Sequence, residues 1–130
     1  MLEYQARSKS IRKKIITKAY ECGESSHLGG ALSMVDVLCV LYESVLQYDV
    51  NNLQSKDRDI FILSKGHCVL GWYATLNDFG LMTDCVFNTF QTNGSHLIAH
   101  PVKNLSLGIE SSNGSLGQGL SFDKGLNREM

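Results

Sequence analysis

The chain of 130 residues lacks a C-x-x-C pair among its four cysteines, lacks H-E-x-x-H, and has a single proline. Cys22, Cys39, Cys68 and Cys85 stand far apart, Cys39 in an apolar helical stretch and Cys68 directly after a histidine. Buried free thiols in a reducing compartment are therefore expected, not a disulfide framework or a zinc site. No apolar run reaches the roughly 18 residues of a membrane span, and no signal-peptide pattern precedes the first helix, so the expectation is a cytoplasmic protein without membrane association. Twelve basic and 13 acidic residues give a formal net charge of −1, which provides no broad attraction to nucleic acid. The basic residues that do cluster, from Arg7 to Lys18, alternate with Ile11, Ile15 and Ala19 at helical spacing and read as the solvated face of a helix. Neither G-x-x-x-x-G-K-S/T nor G-x-G-x-x-G occurs, so a nucleotide or sugar-phosphate binder using a glycine loop alone ranks last.

What remains is a composition of 43% hydrophobic and 19% charged residues, which describes one globular domain over residues 1–130 that buries about two-thirds of its unfolded surface. The fold class is α/β, rich in helix. A first helix is predicted over 8–22, with Ser8 or Ser10 as cap. A second opens at Ser33, which accepts from the backbone near Asp36, and carries a core stripe of Met34, Leu38, Leu41 and Val45. Residues 49–58 form a polar loop. Asp59-Ile-Phe-Ile-Leu63, bounded by charge and by Ser64-Lys65-Gly66, suits a buried parallel strand. Val69, Leu70, Tyr73, Leu76 and Phe79 mark a further helix that stops at Gly80, with Trp72 and Tyr73 as packing or interface residues. Thr83 caps a brief helix through Phe90, and Asn93-Gly94 is a turn. The last helix starts near Leu116 and runs on through Leu120, Phe122 and Leu126.

The stretch Gly108-Ile-Glu-Ser-Ser-Asn-Gly-Ser-Leu-Gly-Gln-Gly-Leu-Ser121 organises the rest. Glycine at this density lets backbone approach a ligand and leaves N–H groups uncovered where a helix begins, which favours an anion or a polar heterocycle. A glycine loop alone is more often a connector, and a loop histidine alone more often a capping or surface residue. Here three histidine motifs accompany the loop: Ser26-His27-Leu28-Gly29-Gly30, Ser64-Lys65-Gly66-His67 and Ala99-His100-Pro101. His67 falls just beyond a strand's carboxyl end, the edge where ligands bind in open α/β sheets. His96 and His100 are spaced H-x-x-x-H, but Pro101 disfavours helix at His100, so a metal pair is not expected.

Together and in this order, the four motifs resemble the N-terminal cofactor-binding domain of transketolases, over roughly Ser10 to Leu126. The resemblance implies thiamine diphosphate as cofactor and transfer of a two-carbon ketol unit between sugar phosphates. It implies His27 and His100 as catalytic, substrate-facing groups, which suits imidazole because it donates or accepts near neutral pH. His67 carries over as a contact near the diphosphate, and Gly114, Ser115 and Leu116 as the stretch touching the cofactor's rings, largely through backbone. Gly30 stands where many members have a hydroxyl residue, and Ala99 replaces the glycine of a Gly-His-Pro motif. The wording Ser-Ser-His-Leu-Gly-Gly and Arg-Asp-Ile-Phe-Ile-Leu-Ser-Lys-Gly-His is similar to members encoded as a short N-terminal subunit.

In the family, Mg²⁺ is held by a Gly-Asp-Gly motif and a later Asn about thirty residues past the glycine loop, beyond residue 130 here. The resemblance thus implies an incomplete cofactor domain with few parallel strands because the chain is truncated, metal ligands supplied elsewhere, and a C-terminal subunit or homodimer partner contributing the activating glutamate. The chain by itself is expected to be inactive. The competing expectation is a non-catalytic transketolase-like remnant or interaction module.

Overall fold

The computed structural model describes residues 2–24 and 26–129. Among these residues six α-helices succeed one another: α1 (Leu2–Cys22), α2 (Leu28–Ser33), α3 (Val35–Val40), α4 (Val69–Asp78), α5 (Asp84–Phe87) and α6 (Gly119–Glu129). A π-helical turn (Leu41–Val45) extends α3, and short 3₁₀ turns lie at Gly66–Cys68 and Leu105–Leu107.

The hydrophobic centre is α4. Every residue from Val69 to Asn77 is buried, with Trp72, Tyr73, Ala74 and Leu76 at most 2% exposed. A helix apolar on all sides must be wrapped by others, and α1, α2, α3 and α5 all pack against it. Ile11 and Ile15 of α1 are fully buried, with Ala19 packed against the core beside them. Burying each large apolar side chain contributes about 1.5–3 kcal/mol.

Helix α1 begins six residues before the predicted start. Its early turns are held by tertiary contacts: Arg7 stacks 4.2 Å from the Phe79 ring centroid and pairs with Glu43 and Asp78. Ser8 and Ser10 therefore lie inside the helix and cap nothing; their hydroxyls donate to Asp36 (2.6 Å) and Asp78 (2.8 Å). The solvated basic face is real for Lys9 and Lys13, which are exposed. Arg7, Arg12, Lys14 and Lys18 instead form ion pairs, with Asp78, Asp36, Asp78 and Glu21 respectively.

The single helix expected from Ser33 is two. Ser33 ends α2 by donating its hydroxyl back to the Gly30 carbonyl (2.8 Å), a bond that competes with helix continuation. Asp36 answers Arg12 and Ser8, not a cap. Leu38 is buried as predicted, but Val45 is 54% exposed. The π-helical turn, closed by Leu46 N–H on the Leu41 carbonyl, breaks the 3.6-residue register and swings Val45 outward.

The run 59–63 forms no strand ladder; among the described residues the sole β-bridge joins Asn104 and Ile109. A strand needs a neighbour, and none of the described residues forms one beside it. Its side chains still behave as a strand's would: Leu63 is 3% exposed, and Phe61 meets Trp72 edge-on at 5.0 Å. Thr83 caps α5 as predicted, accepting from Val86 N–H at 3.3 Å, although α5 ends at Phe87. Helix α6 starts at Gly119, three residues later than predicted, and its Leu120 and Phe122 are exposed. The Leu126 side chain lies outside the described residues. Of the cysteines, Cys39 and Cys68 are buried free thiols; Cys85 is exposed and Cys22 half-buried. No helix among the described residues is long and apolar enough to cross a membrane.

Candidate functional site

Three segments converge beside the amino end of α4. The first is the loop leaving α1, which delivers His27 as the residue preceding α2, with its side chain capping nothing. The second is the 3₁₀ turn Gly66–Cys68, which carries His67. The two imidazoles meet edge to face, centroids 5.2 Å apart and planes at 75°. His27 is exposed and His67 half-buried, so the pair forms a rim open to solvent.

The third segment is a loop from His100 to Gly119 that folds back on itself. Asn104 and Ile109 exchange two backbone hydrogen bonds (2.9 and 3.0 Å), and Gly108 closes the turn in the left-handed region at φ 72°. Lys103 N–H donates to Ser112 Oγ (2.8 Å), and Asn113 N–H to the Pro101 carbonyl (3.1 Å). The glycine run thereby returns to lie against His100-Pro101.

Gly66 is where this third segment touches the second. A Cβ there would sit 2.6 Å from the Asn113 carbonyl oxygen and 3.0 Å from Pro101 Cδ, so only glycine permits the approach. His67 is thus next in chain to the residue on which Pro101 packs, and His100 next to Pro101. The glycine loop is also fastened to Ser64, whose carbonyl accepts from Gly117 N–H (2.9 Å) and whose hydroxyl accepts from Gly119 N–H (3.1 Å).

Gly114, Ser115 and Leu116 are exposed, Leu116 at 71%, and their backbone N–H groups have no hydrogen-bond partner among the described residues. Three uncovered amides on a loop fastened to Ser64 and set against Gly66, the residue before His67, can bind an anion or a polar ring. Burial raises the Cys68 thiol's pKa, which keeps it protonated between the histidine turn and α2. A separate hollow lined by Tyr42, Leu46, Tyr48, Arg58, Phe61 and Leu107 includes none of the site histidines and none of residues 114–116, and is a packing seam. Among the described residues no three His, Cys, Asp or Glu side chains gather as they would around a metal ion.

Two residues of this neighbourhood carry no assignment from the sequence. Ser64 had a signal, standing at the head of Ser-Lys-Gly-His, but its double fastening of the glycine loop is visible only in three dimensions. Asn113 gave none, because a polar residue between Ser112 and Gly114 reads as exposed loop, yet it is 5% exposed.

Helices wrapped around a buried central helix, a strand-like run ending in a histidine turn, and a glycine loop fastened to that turn are parts of an α/β cofactor-binding domain. Residues 5–129 match the family described as transketolase, thiamine diphosphate binding domain, and the chain belongs to that family. It is 38% identical over 124 residues to an apulose-4-phosphate transketolase subunit of Actinobacillus succinogenes, covering 95% of this chain and 45% of the relative. It is 33% identical over 125 residues to the 6-deoxy-6-sulfo-D-fructose transketolase subunit SqwG of a Clostridium species, covering 96% and 45%. The solved transketolase from Leishmania mexicana superposes with a TM-score of 0.83 at 29% identity, over 95% of this chain and 18% of that one. The chain spans less than half the length of these relatives.

Proposed function

We propose that this chain forms the cofactor-facing part of a transketolase-type enzyme that transfers a two-carbon ketol unit between sugar phosphates. The observation that carries this reading is the edge-to-face contact of His27 and His67, on a turn to whose preceding Ser64 the loop with uncovered amides at 114–116 is fastened. The cofactor, thiamine diphosphate, supplies when bound the nucleophilic carbon and the electron sink needed to break a carbon–carbon bond in a ketose. Exposed backbone N–H groups with no side chain over them fit a heterocycle held by its polar edge. In this reading Gly114, Ser115 and Leu116 provide those contacts and His67 a donor toward the diphosphate. His27 and His100 bind substrate hydroxyls and move protons to and from them.

Mg²⁺ belongs to the same proposal, its oxygen ligands coming from polypeptide outside this chain. So does a partner: two of the relatives are named as subunits, which supports a C-terminal subunit or a second copy completing the site. A second reading, a non-catalytic module, is favoured by the run 60–63, whose backbone N–H groups find no partner among the described residues. Calorimetric titration of the chain with thiamine diphosphate and Mg²⁺ separates the two. Binding tighter than about millimolar argues against the module, and no heat at millimolar ligand argues against a self-sufficient site.

A further inference from the structure

We propose that Asn113 is the positioning residue of this site, its side-chain amide fixing how His67, His100 and the 114–116 backbone stand relative to one another. Its Nδ2 donates to the Leu63 carbonyl at 2.9 Å and to Ser111 Oγ at 3.1 Å. Its backbone N–H donates to the Pro101 carbonyl at 3.1 Å, and its own carbonyl packs on the face of Gly66 where no Cβ would fit. One residue thus bonds to the end of the run that leads to His67, to the residue following His100, and in chain to Gly114.

The residue is 5% exposed, and Oδ1 has no hydrogen-bond partner among the described residues. Buried polar atoms are nearly always paired, because leaving one unpaired costs stability. What Asn provides is a short, planar donor that reaches two acceptors while its backbone holds a third contact. The identity of the ligand rests on the proposed function; the geometry does not.

The test uses the full chain with Asn113→Ala and the isosteric Asn113→Asp, which keeps the volume but turns a carboxylate toward the Leu63 carbonyl. Imidazole Cε1–H NMR signals of the four histidines are recorded, and each protein is titrated with thiamine diphosphate and Mg²⁺. In folded variants the His67 and His100 signals should move while His96 stays fixed, and affinity should fall about tenfold. Unmoved His67 and His100 signals in a folded variant, or moved signals with unchanged affinity, would overturn the proposal. If the unsubstituted chain binds no cofactor, a self-sufficient site is ruled out while the imidazole signals still decide the role of Asn113. Should the Ala and Asp variants not fold, Asn113→Ser is read by the same signals; a Ser variant that also fails to fold makes the residue a fold determinant and overturns the proposal.

Discussion

Gly30 and Cys68 interlock: a Cβ on residue 30 would overlap the Cys68 Sγ and stand 3.7 Å from Cδ2 of His67. The thiol therefore occupies the space that any side chain at 30 would need, and α2 rests directly on the histidine turn. Gly30→Ala should destabilise the chain by about 1–3 kcal/mol through overpacking. Adding Cys68→Ala should recover at least about 1 kcal/mol of that loss, a coupling measured by urea unfolding of the double-mutant cycle. Additive losses would mean that the two residues do not share the space.

Gly66→Ala should act on the site as well as on stability. The methyl would meet the Asn113 carbonyl and Pro101, both backbone-anchored and unable to swing aside. A loss of about 1–3 kcal/mol in chemical unfolding is expected, together with weaker binding of thiamine diphosphate. Retained affinity at reduced stability would separate the contact from ligand binding.

Removing the imidazole at position 67 should weaken cofactor binding about tenfold, close to 1.4 kcal/mol, whereas the exposed His96 should be neutral. Titration calorimetry of His67→Ala and His96→Ala checks this, and equal effects would count against the assignment.

Acid should loosen the clamp between α1 and its neighbours. Hydrogen bonds from Arg12 and then Ser8 pull the Asp36 carboxyl down to about 2. At Asp78 burial pushes upward, but hydrogen bonds from Ser10, Lys14 and Arg7 and the charge of Lys14 outweigh it, so that carboxyl is lowered too. A carboxyl lowered in the folded state contributes stability in full above its unfolded value, near 4, and loses it as pH falls toward the folded value. Unfolding free energy should therefore decline between about pH 4 and pH 2. Asp36→Asn should remove only about 0.2–1 kcal/mol of it, since the Asp36 side chain is 73% exposed and screened. Asp78→Asn, at 10% exposure with two cations left behind, should cost more. A flat acid limb in wild type would contradict the pairing.

Much of this was readable in the sequence wherever one local rule dominated. Ile11 and Ile15, the stripe on α4 and the Thr83 cap depend on periodicity or a single hydroxyl, and each stands where the pattern put it. The three histidine motifs stood out as motifs, and the histidines of two of them, His27 and His67, touch. The errors came where distant groups competed. Ser8 and Ser10 have the residue type of caps, but Asp36 and Asp78 claim their hydroxyls. Ser33 has the residue type of a start and is a stop, because its own i−3 carbonyl is the nearer acceptor. The strand at 59–63 has the right residues but no neighbour to pair with, and pairing is not a property of one segment.

That bare run has a practical consequence. The amides of Ile60, Phe61, Ile62 and Leu63 have no hydrogen-bond partner among the described residues and, alternating between the two edges of a β-prone stretch, are donors along which copies of a chain can zip together. Purified at high concentration, the protein should show light scattering that grows with time and is suppressed by Ile62→Lys. Colloidal behaviour and any β pairing of this run would then be governed by the same peptide groups.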